Sequence, residues 1–381
     1  MIKTFRYRLY PSKIQKRTLE STLETCRRWY HECLAERKDV YEMAGVSVSV
    51  SQQQSRIKDH RRNNPYAGKT ANHILQVATK DLDKAFRAFF RRVKNGENPG
   101  YPRFKGKGRF NSFGYQEYGN SFKLDGRRLK LTFIGRIAVR WHRPIEGKIK
   151  TLRVIRKNGK WYACFACEVE PQPLAPTEKE IGIDVGLSSL LTTSDGEHTE
   201  NPRWYREEQS RLRVLQRCVS RRKMGGSNRR KAVKQLQNQH EKIANRRKDF
   251  LDKTVCTLVE QNDLIAIEDL QINNMVRNHR LSKSILDAGW GHFRQQLNGK
   301  AEEAGRVVVA VNPSYTSKTC SNCGALFEGL TLADRWVTCE CGLSLDRDHN
   351  AAINILKRAG QARSGKSTAI GLRLPEEPAG L

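Results

Sequence analysis

Residues 181–187 read IGIDVGL, an apolar run with one carboxylate set inside it. So short a run, broken by glycine, suits a buried strand better than a core helix. Burying Asp184 there is costly unless a partner or a metal takes up its charge. A second run of this kind, LIAIEDL (264–270), carries Glu268 at its end, and VVVAV (307–311) reads as a third buried strand. Asp348, with Asp346 just before it, opens a late helical pattern, NAAINIL (350–356). Two acids at the ends of buried strands and a third on a late helix describe an RNase H-like site. There, carboxylates hold two divalent ions about 3.5–4 Å apart and clamp the attacking and leaving oxygens of a phosphodiester. Oxygen ligands with an incomplete protein shell suit Mg²⁺, which keeps waters and takes substrate phosphate. Singly, each acid has an ordinary alternative. Asp346 and Asp348 can each be an N-cap, and Asp269 can cap the turn after Glu268.

Ten cysteines occur in 381 residues, and four form two pairs, Cys320-Ser-Asn-Cys323-Gly and Cys339-Glu-Cys341-Gly. Four thiolates complete a tetrahedral zinc shell, and a glycine after each pair frees the backbone of the knuckle. A closed four-cysteine shell leaves no position for substrate, so this zinc is structural. Cys164 and Cys167 match the same spacing but lie in an alternating segment, WYACFACEVE (161–170). Residues three apart on a strand face opposite ways, so these two read as buried small residues. Cys26, Cys33, Cys218 and Cys256 read as helix-face core positions.

The charge balance names the class of partner. Lys and Arg number 70 against 40 Asp and Glu, a net charge of +30. Such a chain repels itself unless an anion neutralises it, and nucleic acid is the usual one. No apolar run approaches a membrane span, and the opening MIKTFRYRLYP lacks the apolar core of a signal peptide. These features, with clustered rather than scattered cysteines, predict an intracellular, reduced, cytoplasmic protein, nucleoid-associated when on DNA, with no membrane partner.

Along the chain, MIKTFRYRLY alternates as a strand, and helices are expected over 12–37, with Ile14, Leu19, Leu23 and Leu34 on one face, and over 72–95. Residues 46–71 read as a loop or short helix. Residues 99–122 mix Gly, basic and aromatic residues; Tyr101, Phe104 or Phe110 could stack bases there, and Arg103, Lys105 and Lys107 could meet phosphates. The same aromatics could instead fill a small barrel. Short alternating segments over 122–170 predict an antiparallel sheet or barrel, and PQPLAPTEKE (171–180) a linker. Two basic helices are expected over 204–260, broken at 224–228, and one helix over 283–304. Residues 201–250 hold 16 Lys and Arg against four Asp and Glu, a poor salt-bridge pattern. Arg221, Arg222, Lys223, Arg229 and Arg230 are therefore candidates to line a nucleic-acid channel. A P-loop expression is met at 360–367, but it follows a helix and trails toward the end of the chain, so it reads as chance.

In order, GIDVG, IAIEDL, NPSYTSKTCSNCG and DRDHNAAIN resemble the three RuvC motifs and zinc finger of the TnpB family, RNA-guided DNA nucleases of insertion-sequence transposons. FRYRLYPSKIQ and YPRFK (101–105) resemble its N-terminal half, so the resemblance spans about residues 1–358. It implies catalytic Asp184, Glu268 and Asp348, with Asp346 the lesser candidate for the third role. It also implies two Mg²⁺ ions, a structural Zn²⁺, a guide RNA and a double-stranded DNA target with a short adjacent motif. The second pair departs from the family's commoner CxxC, which puts zinc occupancy in question.

The expected architecture is a multidomain α+β protein. A wedge β-barrel takes its first strand from 1–10 and the rest from 101–172, around a helical recognition insert at 11–100. An RNase H-like (RuvC) α/β nuclease domain follows at 173–316, then an inserted zinc ribbon at 317–345, the third motif at 346–358 and a disordered tail at 359–381. Two other functions fit the residues: a cleavage-inactive RNA-guided DNA-binding regulator, and an RNase H-like transposase.

Overall fold

The structure is a computed structural model that describes residues 1–363 apart from residue 332. The chain divides into two compact units between Glu170 and Pro171, at the start of the proline-bearing linker.

The first unit opens with strand β1 (Ile2–Tyr10) and helix α1 (Lys13–Ala44). Three short helices follow, α2 (Val50–Ser55), α3 (Ile57–Asn63) and α4 (Pro65–Gly68), then α5 (Asn72–Lys94). Six more strands complete it: β2 (Ser112–Tyr115), β3 (Phe122–Asp125), β4 (Arg128–Leu131), β5 (Gly135–Arg140), β6 (Lys148–Lys157) and β7 (Lys160–Glu168). They form one antiparallel sheet in the order β2-β6-β7-β1-β5-β4-β3. The first strand thus sits between β7 and β5, and the helices are an excursion between two visits to one sheet. Alternation puts Phe5, Tyr7 and Leu9 in the core with Trp161 and Phe165. Helices α1 and α5 join through Trp29 Nε1, which donates to Thr79 Oγ1 at 2.9 Å.

Helix α1 starts where expected because Ser12 and Gln15 make a capping box. It runs on to Ala44, beyond the expected end at 37, and stops at Gly45, whose φ is 65°. Ile14 does not share the buried face: it lies in the first turn and is 76% exposed. On α5 the deep stripe is Leu75, Thr79, Leu82 and Phe86.

The second unit contains β8 (Glu180–Val185), β9 (Ser189–Thr193) and β10 (His198–Glu200), then α6 (Trp204–Glu207), α7 (Gln209–Ser220) and α8 (Ser227–Gln261). After β11 (Leu264–Glu268) come α9 (Ile272–Met275), α10 (Ser282–Ala288), α11 (Trp290–Ala304) and β12 (Val307–Val311). A small hairpin, β13 (Trp336–Thr338) and β14 (Ser344–Asp346), leads into α12 (Arg347–Arg363). The main sheet has the order β10-β9-β8-β11-β12, antiparallel from β8 outward through β9 to β10 and parallel across β8, β11 and β12. Its parallel strands are covered on both faces, which explains their unbroken apolar runs. Ile265 and Ile267 pack with α8 and α11, while Leu264 and Ala266 pack with Ile355 and Ala359 of α12.

Three sequence expectations need correction. The single helix over 283–304 is two helices, because Gly289 adopts a φ of 75° between them. The first of the two basic helices is short, and the break falls at 221–226 rather than 224–228. Residues 359–363, assigned to the tail, are the last turn of α12. The remainder of that tail, with most of the P-loop match, lies outside the described residues.

Candidate functional site

Register and helix packing bring the three candidate acids together. Strands β8 and β11 pair in parallel with Ile183 opposite Ile267, so Asp184 and Glu268 are the next positions along two neighbouring strands. Side chains alternate along a strand, so Asp184 shares a face with Gly182, and Glu268 with Leu264 and Ala266. That is the face covered by α12. Helix and strand meet closely because Gly182 lacks a side chain: a Cβ there would lie 2.2 Å from the Ala352 carbonyl oxygen. Asp348 occupies the first turn of α12, and a Cβ on Gly186, in the turn after β8, would lie 3.9 Å from its Oδ2.

The two acids of DRD have different tasks. Asp346 Oδ1 accepts from the backbone N–H of Asp348 at 2.9 Å and of His349 at 3.0 Å, so it caps α12. Asp348 is left facing the strand ends.

Charge is concentrated at this spot. Burial raises the pKa of Asp184 well above the usual carboxylate range, and the charges of Glu268 and Asp348 push it further. Burial also raises Glu268, against a hydrogen bond from Thr316 Oγ1 at 2.6 Å and the charge of Arg358. Asp348 is raised by burial and by Asp346, against Arg335, Arg347 and His198. None of the three forms an ion pair among the described residues, whereas Asp263, Asp269 and Asp287 of the same unit each hold an arginine. Convergent, unpaired carboxylates offer hard oxygen donors and surplus negative charge, which fits divalent cations such as Mg²⁺. Asp269 pairs with Arg294 at 2.6 Å and takes no part.

The cysteines are gathered more tightly. The sulfur atoms of Cys320, Cys323, Cys339 and Cys341 all lie within 4.8 Å of one another, and no other His, Cys, Asp or Glu group among the described residues is so close. Cys320 and Cys341 are 3.6 Å apart, and Cys323 and Cys339 3.5 Å. A zinc–sulfur bond of about 2.3 Å in a tetrahedron needs sulfur atoms about 3.8 Å apart, so the cluster fits zinc. Both knuckles turn on the following glycine, with φ of 81° at Gly324 and 88° at Gly342, a conformation that favours residues without a Cβ. The shorter CxC pair is therefore accommodated. Cys164 and Cys167 lie on opposite faces of β7, one half-buried and one in the core.

Sequence reasoning missed what joins the two clusters. Asn350 of α12 is fully buried; its Oδ1 accepts from Ser321 N at 2.8 Å and its Nδ2 donates to Thr319 O at 2.8 Å. One turn later, Asn354 Nδ2 donates to Thr319 O at 2.6 Å and Thr316 O at 2.9 Å. Lys357 adds a bond from its ammonium to the Ser321 carbonyl. The first knuckle is thereby fastened to the helix that bears Asp348, through the loop whose Thr316 holds Glu268. The signal was present in NAAINIL, where two asparagines four apart stand among alanines and isoleucine on the buried stripe.

The nucleic-acid candidates divide. In the first unit Arg103 and Lys107 are exposed. Tyr101 is exposed and edge-on to Phe86 and Phe89, and exposed Phe104 is edge-on to His31. Lys105 already rests its ammonium over Tyr30 at 4.7 Å and Phe110 at 5.4 Å. Phe110 is buried in the core and has no face free to stack, which corrects that expectation. In the second unit Arg221, Arg222, Lys223 and Arg230 are exposed around the turn between α7 and α8. Arg229 is committed to closing that turn: its guanidinium donates to Val219 O at 2.7 Å and Arg222 O at 3.3 Å.

Comparison with known proteins bears on the whole chain. Residues 164–279 match a family model for OrfB of IS605-type elements, described as "Probable transposase", and residues 290–355 match one described as "Cas12f1-like, TNB domain". Residues 1–45 match a model described as "Helix-turn-helix domain", although the structure has one strand and one long helix there. A Streptomyces pristinaespiralis protein called "Putative RNA-guided DNA endonuclease" is 34% identical over 376 residues, covering 97% of this chain and 92% of the relative. An Escherichia coli K12 protein of the same description, InsQ, is 30% identical over 398 residues, covering 99% and 97%. Among solved structures, the fold is shared with Cas12f1 in a cryo-EM complex with sgRNA and target DNA, at a TM-score of 0.60, 14% identity, and coverage of 93% of this chain and 98% of that one. Identity sustained from end to end with such relatives, on top of the ordered motifs at the carboxylates and cysteines, means that the chain belongs to the TnpB family of OrfB-type proteins.

Proposed function

We propose that this protein is an RNA-guided DNA endonuclease whose second unit is an RNase H-like (RuvC) nuclease domain and whose cutting site is Asp184, Glu268 and Asp348. The observation that carries the reading is the convergence of three unpaired, half-buried carboxylates on one face of a β10-β9-β8-β11-β12 sheet. The strand order and mixed direction support the RNase H-like reading, and ligands of such open sheets bind at the carboxyl ends of the parallel strands. Relatives named for RNA-guided DNA cleavage, covering nearly the whole chain, support the substrate class.

Asp184 and Glu268, fixed on neighbouring strands, and Asp348, fixed by helix packing, would share two Mg²⁺ ions. When bound there, the ions supply an activated water and stabilise the leaving 3′ oxygen of a phosphodiester. Thr316 orients Glu268, Asp346 holds the turn that presents Asp348, and the four cysteines hold a structural Zn²⁺. Exposed Arg221, Arg222, Lys223 and Arg230, with Tyr101, Arg103, Phe104 and Lys107, are proposed contacts to guide RNA and target DNA, read through backbone and stacking rather than sequence.

The deciding experiment is cleavage of a plasmid target by the purified protein with its copurifying RNA and Mg²⁺. Linear product is expected from the parent and none from Asp184→Ala, which still retains RNA and binds target. Undiminished cutting by that variant would remove the site assignment. Joined strands in place of linear product would point to a transposase, and intact plasmid bound by the parent to a regulator.

A further inference from the structure

The second unit has a cavity of about 430 Å³ beside the turn that follows β8, and nothing in the proposed carboxylate mechanism uses it. One wall is Leu187 and Ser188. The residue before them, Gly186, is the one whose Cβ would lie 3.9 Å from Asp348 Oδ2, so the cavity adjoins the carboxylates. The other walls carry four cations from two separate segments: Arg203 and Arg206 after β10, and Arg280 and Lys283 before and on α10.

These cations are not there to neutralise protein acids. One acid, Asp287, lines the cavity, and it is spent: its carboxylate accepts from Arg247 at 2.5 Å and from Tyr205 N at 3.1 Å. The side chains of Arg206, Arg280 and Lys283 have no acidic partner among the described residues, in contrast to Arg247, Arg294 and Arg306 of the same unit. Arg203 is held in place. Its backbone takes a left-handed φ of 49°, unusual for a side chain of its size, and its guanidinium donates to Leu187 O at 3.1 Å. A concave set of guanidinium and ammonium donors without an internal counter-charge, one of them held in place, suits an oxyanion, and guanidinium forks match phosphate.

We propose that this cavity is a phosphate seat for the DNA strand being cut, holding a backbone phosphate next to the scissile one. The proposal rests on the nuclease reading above and adds to it the groups that position the strand. Asp184, Glu268 and Asp348 repel an incoming phosphodiester until cations are bound, so a nearby positive seat supplies the attraction they lack.

The test uses full-length protein with its copurifying RNA, in an Asp184→Ala background that binds without cutting. Arg280→Ala with Lys283→Ala changes two exposed side chains that make no hydrogen bond or ion pair among the described residues. Binding of a fluorescein-labelled single-stranded DNA is followed by anisotropy over a series of KCl concentrations. Affinity should fall about tenfold or more, and the slope of log K against log[KCl] should flatten by about 1.4, as two phosphate contacts on a single strand are lost. The amount of copurifying RNA should not change. Unaltered affinity and slope would overturn the proposal. So would loss of copurifying RNA with the DNA slope intact, because the seat would then hold RNA. If the double variant loses affinity and slope as expected yet the parent never cuts a plasmid, the nuclease reading fails while the cavity stands as a phosphate seat for bound DNA.

Discussion

Replacing Asn350 by alanine should separate the zinc knuckle from the helix that carries Asp348. The side chain is fully buried and makes two bonds, accepting from Ser321 N and donating to Thr319 O, each at 2.8 Å. Truncation leaves the Ser321 N–H without its acceptor, while the Thr319 carbonyl keeps the Asn354 donor. An unsatisfied buried polar group costs about 1–3 kcal/mol. For a unit of this size that is a fall in Tm of about 2–12 °C. Calorimetry gives the Tm, and a chromogenic chelator titration gives retained zinc. The control is Asn322→Ala, an exposed neighbour whose one bond runs to Cys341 Sγ at 3.5 Å; it should stay within about 0.5 kcal/mol of the parent. An Asn350→Ala protein with parental Tm and full zinc would refute the claim that this asparagine clips the knuckle to α12. Full loss of zinc from the Asn322 control would refute it equally, since the weak contact would then matter more than the buried one.

Two further outcomes follow from the carboxylates. The folded state raises the pKa of Asp184 above its ordinary value, so folding takes up protons and metal-free stability declines as pH rises from about 4 through the folded pKa. Asp184→Asn should therefore melt higher than the parent in EDTA at pH 7.5, by about 1.4 kcal/mol for each unit of displaced pKa, with the gap closing toward pH 4; a gap independent of pH would count against it. Thr316→Val removes the hydroxyl that favours the ionised form of Glu268, so the acid limb of the cleavage pH profile should move to higher pH and neutral activity fall about tenfold. Thr316→Ser should restore both, and a profile unmoved by valine would remove Thr316 from any positioning role.

What the sequence disclosed depended on whether local pattern carried the information. Apolar runs such as LIAI and VVVAV mark the parallel strands, and they are found within a residue of where they were expected. Strand order is a different matter. Nothing in MIKTFRYRLY says that it lies between two strands from the other end of its unit, because that pairing is fixed by contacts some 130 to 160 residues away. Gly289 falls inside the single helix expected over 283–304; only its left-handed backbone shows that it separates two. That Asp346 caps α12 also needed coordinates, since an N-cap and a ligand at a helix start are the same letters. The asparagine clip was legible in principle, but polar residues on a buried stripe announce a partner without naming it.

The cysteines and the carboxylates stand so close in the sequence because they are parts of one mechanical arrangement. Glu268 is held by Thr316, Thr316 by Asn354, and the knuckle at Ser321 by Asn350, while Asp348 lies two residues before Asn350 on the same helix. The loop between β12 and the first knuckle is thus fastened at three points to α12, and α12 is pressed onto β8 through Gly182. The opposite face of the sheet, packed on α8 and α11, has no share in these bonds. Loss of the knuckle should therefore be felt first as a loss of placement of Glu268 and Asp348, with the sheet still folded, because the larger core that holds the sheet lies on its opposite face.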